Sequence, residues 1–155
     1  MVSLRRKDRG FTIVELLIVI VIIGILAALV IVTYNGIQQK ARDTERKTDV
    51  KALQGQLEAY WANAAKYPTL DQVNQVGAGN ATWRTDNMKG LDPAALADPK
   101  NASSQLLCAT TSANCYGYVP TPAGCDNTAT DCTNYTLTAT LESDPAHPFT
   151  VKSNN

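Results

Sequence analysis

An apolar run of 22 residues, from Phe11 to Val32, constrains this 155-residue chain more than any other feature of its sequence. Within the run only Thr12, Glu15 and Gly24 are not strongly apolar. A helix rises about 1.5 Å per residue, so the run would extend roughly 33 Å, enough to cross a hydrocarbon core of about 30 Å. The run therefore predicts a helix that either spans a membrane or packs against other apolar helices.

The charges beside this run predict its orientation. Residues 33–39 carry no charge, whereas four basic residues and one acid precede the run: Arg5, Arg6, Lys7, Arg9 and Asp8. Basic segments that flank a membrane helix usually stay on the cytoplasmic side. We therefore expect the N-terminus to be cytoplasmic and the rest of the chain to be exported. The run exceeds the roughly 7 to 15 residues of a cleaved signal core, and no small-x-small cleavage site follows it, so the segment is expected to be retained.

Helical periodicity continues beyond the apolar run. Apolar side chains recur at steps of three and four, and no proline occurs from Phe11 through Tyr67. The spacing predicts one helix of about 50 residues that ends near Ala65, with Pro68 marking its exit. Its periodic residues are Val50, Leu53, Leu57, Tyr60, Trp61 and Ala64, and the positions at which it is expected to be weakest are Asn35, Gly36 and Gly55.

Charged pairs on this helix are expected to be exposed. Asp43 stands three residues before Arg46 and four before Lys47, spacings that give weak support to a solvated helix face.

The sequence after Pro68 predicts a small head with short strands. Runs at residues 115–120 and 134–143 read as strands, and the second alternates apolar and threonine side chains with a period of two. We expect these strands to cover the apolar stripe of the helix. The fold class is therefore α+β, with a long N-terminal helix packed against a small antiparallel sheet.

Four cysteines lie in the last third of the chain: Cys108, Cys115, Cys125 and Cys132. An even number in an exported region predicts two disulfides. Zinc is disfavoured because each close pair is separated by six residues and the single histidine, His147, stands apart. Three connectivities are open, of which we favour the two local pairs.

Motifs for catalysis or for binding a cofactor are not found. The sequence has no glycine-rich phosphate loop, no catalytic triad pattern and no metal motif, so we predict a protein that is not an enzyme and has no cofactor. Asp126 and Asp131 would supply only two carboxylates to calcium, so a solvated turn is favoured there. Beyond residue 10 the chain has 10 basic and 13 acidic residues, and a specific nucleic-acid surface is not predicted.

The segment "RRKDRGFTIVELLIVIVIIGILAALVI" resembles the leader and N-terminal helix of type IV pilins and the related pseudopilins. The likeness covers about the first 35 residues and rests on the basic leader, the Gly10–Phe11 junction and an acid at the fifth position after it. The resemblance implies cleavage after Gly10 by a membrane prepilin peptidase and N-methylation of Phe11. It also implies that Glu15 neutralises the N-terminal amine of an adjacent subunit. Many relatives carry a proline where this chain has Val32.

The resemblance implies a division of the chain by role. Residues 1–10 are the leader, 11–33 the membrane and filament-core segment, 34–65 the amphipathic half of the helix, and 66–155 the disulfide-bonded head. The expected partners are copies of the chain, the prepilin peptidase, an inner-membrane assembly platform and, before assembly, the lipid bilayer. The chain would be a single-pass membrane protein that moves to a cell-surface pilus.

Two alternatives to a pilus subunit for adhesion, motility or DNA uptake stay open. One is a pseudopilin of a type II secretion-like system, which forms a short periplasmic filament. The other is a monomeric extracellular domain with a membrane anchor.

Overall fold

The computed structural model describes residues 10–155, and the predicted leader residues 1–9 lie outside that range. The chain forms two compact units, one reaching Gln38 and the other running from Gln39 to Asn155. One helix, α1, occupies Ile13–Ala64 and is 52 residues long. It runs without a break through Asn35, Gly36 and Gly55, and the predicted long helix is confirmed.

The end of α1 is set by local backbone geometry and not by the proline that follows. The amide of Ala65 donates to the Trp61 carbonyl at 2.8 Å, and Ala65 itself adopts a left-handed conformation with φ of 53°. Left-handed residues commonly end helices because they let the last carbonyls find new donors. The chain is already non-helical when it reaches Pro68.

In the first unit, the side chains of α1 are exposed. Apolar residues from Ile13 to Ile37 remain between about half and nine-tenths accessible, for example 87% at Ile13 and 58% at Ile37. Within residues 10–155, α1 is the one helix that has the length and apolar composition needed to cross a membrane. Among residues 10–38 nothing covers that apolar surface.

The second unit contains a three-stranded antiparallel sheet in the order β1-β2-β3. The strands are β1 at Gly117–Thr121, β2 at Asn134–Ala139 and β3 at Phe149–Lys152, and Leu137 lies opposite both Tyr118 and Val151. Two short helices, α2 at Leu70–Asn74 and α3 at Trp83–Asn87, and a 3-10 helix at Pro93–Leu96 precede the sheet. The predicted α+β class is confirmed.

The predicted strand at 134–143 is shorter than expected, and β3 was not predicted. After Ala139 the backbone leaves the sheet, because the amides of Glu142 and Ser143 donate to the carboxylate of Asp43 at 2.7 and 2.9 Å. Strand β3 has only four residues and follows Pro148, too short a run for alternation to be recognised.

The core lies between the sheet and the second half of α1. Val50, Leu53 and Leu57 are buried as predicted, whereas Tyr60 and Trp61 are only half-buried at its edge. Tyrosines supply much of the opposing surface, and Tyr67 stacks on Trp61 at 4.6 Å between ring centres. Fully buried residues opposite the helix are Tyr67, Val73, Leu96, Tyr116, Tyr118, Tyr135, Leu137 and Ala139.

The expectation that Asp43 and Arg46 form an exposed pair is wrong. Arg46 is fully buried and donates to Asp43 at 2.9 Å, to Asp98 at 2.7 and 3.0 Å and to Glu142 at 2.8 Å. Arg42 adds a bidentate pair with Glu142 at 2.7 and 2.8 Å. A buried guanidinium must be fully paired, and these acids join α1 to two distant segments of the head.

Two disulfides are present, and they join Cys108 to Cys115 and Cys125 to Cys132. The first closes a loop that folds over the sheet, because Thr111 donates its hydroxyl toward the Thr138 carbonyl at 3.3 Å. In the chain-entropy view a loop of this size contributes about 2 to 3 kcal/mol. These are the local pairs favoured from the sequence.

Candidate functional site

The start of α1 is a capping box formed by Thr12 and Glu15. The Thr12 hydroxyl accepts from the Glu15 amide at 3.2 Å, and the Thr12 amide donates to Oε2 of Glu15 at 2.9 Å. The Thr12 hydroxyl also donates to the same Oε2 at 2.6 Å. In this reciprocal arrangement a Thr at the N-cap and a Glu three residues later satisfy each other's backbone amides.

The capping box gives Glu15 a role that the sequence reasoning missed. The spacing Thr-x-x-Glu directly before an apolar run is itself a signal for a helix start. A carboxylate in the first turn is also favoured by the positive end of the helix dipole. The acid is therefore fixed in position at the first turn of the helix.

One oxygen of the Glu15 carboxylate remains available. Both Thr12 contacts use Oε2, and Oε1 accepts no hydrogen bond from residues 10–155. The side chain is exposed on the described chain, so a donor from outside the chain can reach it.

The Gly10–Phe11 bond lies immediately before the cap. Both residues are outside the helix and exposed, Phe11 to 83%. A peptidase needs an extended, accessible backbone, and a bond locked in helical hydrogen bonds would not offer one. The predicted cleavage junction has that accessibility at its two described residues.

A shallow apolar depression of about 300 Å³ lies further along the first unit. Leu29, Val30, Thr33, Tyr34 and Ile37 line it, all from one stretch of α1. A single helix cannot enclose such a depression, which gains a second wall only if another apolar element packs against it.

The loop between Cys125 and Cys132 uses both of its acids for internal contacts. Asp126 accepts from the amides of Thr128, Ala129 and Thr130 at 2.8 to 3.1 Å, and these donors hold the pKa of its carboxyl well below its usual range. Asp131 pairs with Lys66 at 3.0 Å. No group of three or more His, Cys, Asp or Glu side chains suited to a metal occurs in residues 10–155.

A family model matches the N-terminal segment, and several known proteins are similar to part of the chain. A family model described as "Prokaryotic N-terminal methylation motif" matches residues 5–31, a range that contains Gly10, Phe11 and Glu15. The chain is 41% identical over 69 residues to the type II secretion system core protein G of Dickeya chrysanthemi, covering 44% of this chain and 45% of that protein.

Two further relatives carry names from both branches of the expected family. The core protein G of Escherichia coli is 42% identical over 66 residues, 43% of this chain and 46% of that protein. The type IV major pilin protein PilA of Myxococcus xanthus is 38% identical over 71 residues, 46% of this chain and 31% of that protein. The matches thus span less than half the length of these relatives, and no solved structure matches. The resemblance to pilins and pseudopilins is confirmed.

Proposed function

We propose that this chain is a structural subunit of a type IV pilus-like filament, assembled through its apolar helix after removal of a leader. The observation that carries the proposal is the capped, charged start of an otherwise apolar and uncovered helix, inside a segment that matches the N-terminal methylation motif. A structural role requires no catalytic residue and no cofactor.

Cleavage between Gly10 and Phe11 would create the cation that Glu15 lacks. The new α-amino group belongs to the residue before the capping box, and its N-methylation keeps the positive charge. Because Oε2 of Glu15 is already used by Thr12, the amine of an adjacent subunit would pair with Oε1. In an apolar filament core a charge-assisted hydrogen bond of this kind is strongly directional and would set the stagger between subunits.

The other segments of the chain have the roles in the membrane and in the filament that are expected from the sequence. Residues 11–33 lie in the bilayer with a cytoplasmic N-terminus before assembly and in the filament core afterwards. Residues 34–65 support the head at 66–155, which forms the outer surface. An inner-membrane platform would extract each subunit from lipid, since trading lipid for other apolar helices gives little driving force by itself.

A secretion pseudopilin is the second candidate, and the names of the relatives favour it. The relatives from Dickeya chrysanthemi and Escherichia coli are both named for type II secretion, whereas the Myxococcus xanthus relative is named as a pilin. Both candidates share the processing and assembly steps, and they differ in where the filament ends: on the cell surface or within the periplasm.

Mass spectrometry and electron microscopy test the proposal in sequence. The mature protein is expected to begin at methylated Phe11, and a Gly10→Leu variant should accumulate as uncleaved precursor in the membrane. A native protein that keeps residues 1–10 and never polymerises would refute the proposal. Long fibres in sheared surface material support the pilus, and filaments confined to the periplasm support the pseudopilin.

A further inference from the structure

The second half of α1 carries two like-charge pairs of opposite sign. Glu45 and Asp49 are four residues apart, and so are Lys47 and Lys51; Lys40 precedes Lys47 by seven. Like charges at this spacing are neighbours on a helix surface and destabilise it. At about 100° per residue, Glu45 and Lys47 point roughly 200° apart, so the two pairs lie on opposite flanks of the helix.

The acidic pair belongs to a larger acidic flank formed by Glu45, Asp49 and Asp92. The segment before Asp92 lies along this side of α1, since a Cβ on Gly90 would stand 2.9 Å from the Gln56 side chain. Burial raises the pKa of Asp49, the Tyr116 hydroxyl that donates to it at 2.7 Å lowers it, and the nearby carboxylates of Glu45, Asp98 and Asp92 raise it further. Glu45 and Asp92 are therefore both close enough to Asp49 to act on its carboxylate.

The basic flank is formed by Lys40, Lys47, Lys51 and Lys152. Strand β3 lies along this side of α1, because Gln54 donates to the Lys152 carbonyl at 3.0 Å and the Lys51 ammonium stands 6.0 Å from the centre of the Phe149 ring. Lys40, Lys47, Lys51 and Lys152 are all exposed. Four cations thus line one side of the unit.

The charges of both flanks form no salt bridge within residues 10–155. This distinguishes them from Arg42, Asp43 and Arg46 on the same stretch of helix, which are all paired. The exposed Lys89 precedes Gly90 on the acidic side, which still keeps more acids than bases. Between Lys40 and Lys51, the charges of α1 that form no salt bridge are therefore separated by sign onto two opposite sides of the helix, at a cost in helix stability.

The helix surface between the two flanks carries small side chains, which allow another surface to approach closely. Its exposed positions are held by small side chains, Thr44, Thr48, Ala52, Gly55 and Ala59. The distance between packed helices depends on the side chains at the contact, so small residues let another surface come near both flanks.

We propose that the acidic flank of one copy binds the basic flank of the next copy, so that the two surfaces set the register between heads in the filament. The contact joins two different patches and is therefore heterologous, the kind that generates open helical assemblies when the rotation does not close. Charge complementarity at such an interface fixes register and disfavours wrong pairings more than it adds affinity. The inference rests on the proposed function, because it assigns the partner of these flanks to another subunit.

Two single reversals on adjacent turns test the contact. Glu45→Lys places a base among the two remaining acids of the acidic flank, and Lys47→Glu places an acid among the three remaining bases of the basic flank; each turns the attraction at that position into a repulsion. Sheared filaments from either variant alone are expected to fall about two- to 30-fold relative to wild type, because an attraction of the usual strength of an exposed pair is replaced by a repulsion of similar size. Co-expression of the two variants should restore filaments that contain both chains, because opposite flanks then meet again.

Controls separate assembly from folding. Each reversal replaces one like-charge helix pair by an opposite pair and one opposite pair, Arg42 with Glu45 or Asp43 with Lys47, by a like-charge pair, so the unfolding temperature should stay close to that of wild type. Asp71→Lys reverses an exposed acid outside both flanks and should leave filaments unchanged. Full filament yield from both single variants, or no mutual rescue, overturns the flank contact alone. Absence of filaments from the wild type overturns the proposed function and this contact with it.

Discussion

Substitutions at Thr12 and Glu15 separate the observed role of the acid in the helix cap from its proposed role as a charge partner. Glu15→Gln keeps a side-chain acceptor at the third position of the capping box and removes the charge. Thr12→Ala removes the cap hydroxyl that accepts from the Glu15 amide at 3.2 Å, but it keeps the charge. Glu15→Ala removes both. The three variants alter one turn of helix and leave Phe11 unchanged.

The structure sets the size of each effect. Loss of an N-cap side chain costs about 1 kcal/mol, so Thr12→Ala should lower incorporation roughly fivefold. A hydrogen bond to a charged group is worth about 1.5 to 3 kcal/mol, so Glu15→Gln should lower incorporation roughly ten- to 150-fold. Membrane insertion should not suffer in Glu15→Gln, because removing a charge from an apolar segment favours insertion.

Incorporation is measured by co-expressing each variant with wild type and comparing the ratio of the two chains in sheared filaments with their ratio in the membrane. The mass of the mature N-terminus checks that every variant is cleaved after Gly10. If Glu15→Gln enters filaments as well as wild type while Thr12→Ala does not, the acid acts only as a cap and the pairing with a neighbouring amine is refuted.

Three further predictions concern the second unit, each read out by thermal unfolding. Gly117→Ala should destabilise by about 1 to 3 kcal/mol, because the new Cβ would stand 2.7 Å from the backbone nitrogen of Thr111; an unchanged unfolding temperature would contradict the close approach. Ala65→Gly should stabilise by about 0.5 kcal/mol, because glycine adopts a φ of 53° without strain; lower stability would show that no strain is relieved. The Arg42 guanidinium holds the pKa of Glu142 well below its usual range. The ion pair therefore contributes its full stability above about pH 4.5, and that contribution is lost progressively as the pH falls toward the lower pKa of the folded protein. Glu142→Gln should flatten that decline, and an equally steep acid transition in the variant would exclude this carboxyl as its source.

Local patterns in the sequence predict the helix, but they do not predict which of its charged residues are buried. The run of α1 follows from hydropathy, periodicity and the lack of proline, all of which act within a few residues. The burial of Arg46 depends on Asp98 and Glu142, which are 52 and 96 residues away along the chain. Spacing within a helix cannot distinguish an exposed pair from one face of a buried network, because the deciding partners lie on other elements.

The candidate site also combines a feature that the sequence predicts with one that only the structure shows. The box of Thr12 and Glu15 is local, since its two residues are three positions apart, and the amino-acid sequence alone carries its signature. What only the structure adds is the occupancy of each carboxylate oxygen, with Oε2 bound to Thr12 and Oε1 open to donors outside residues 10–155. That difference turns a general expectation of charge pairing into one about a particular atom.

The position of Glu15 also explains how the chain tolerates an acid in an apolar helix. The first four amides of any α-helix lack intrahelical partners, so a helix start is polar even when its side chains are not. In the first turn the carboxylate satisfies the Thr12 amide and meets the positive end of the helix dipole. The same acid two turns further along would find neither, and its burial would cost about 2.5 to 3.5 kcal/mol. Moving the acid from Glu15 to Ile22 should therefore impair membrane insertion as well as assembly, whereas Glu15→Gln impairs assembly alone.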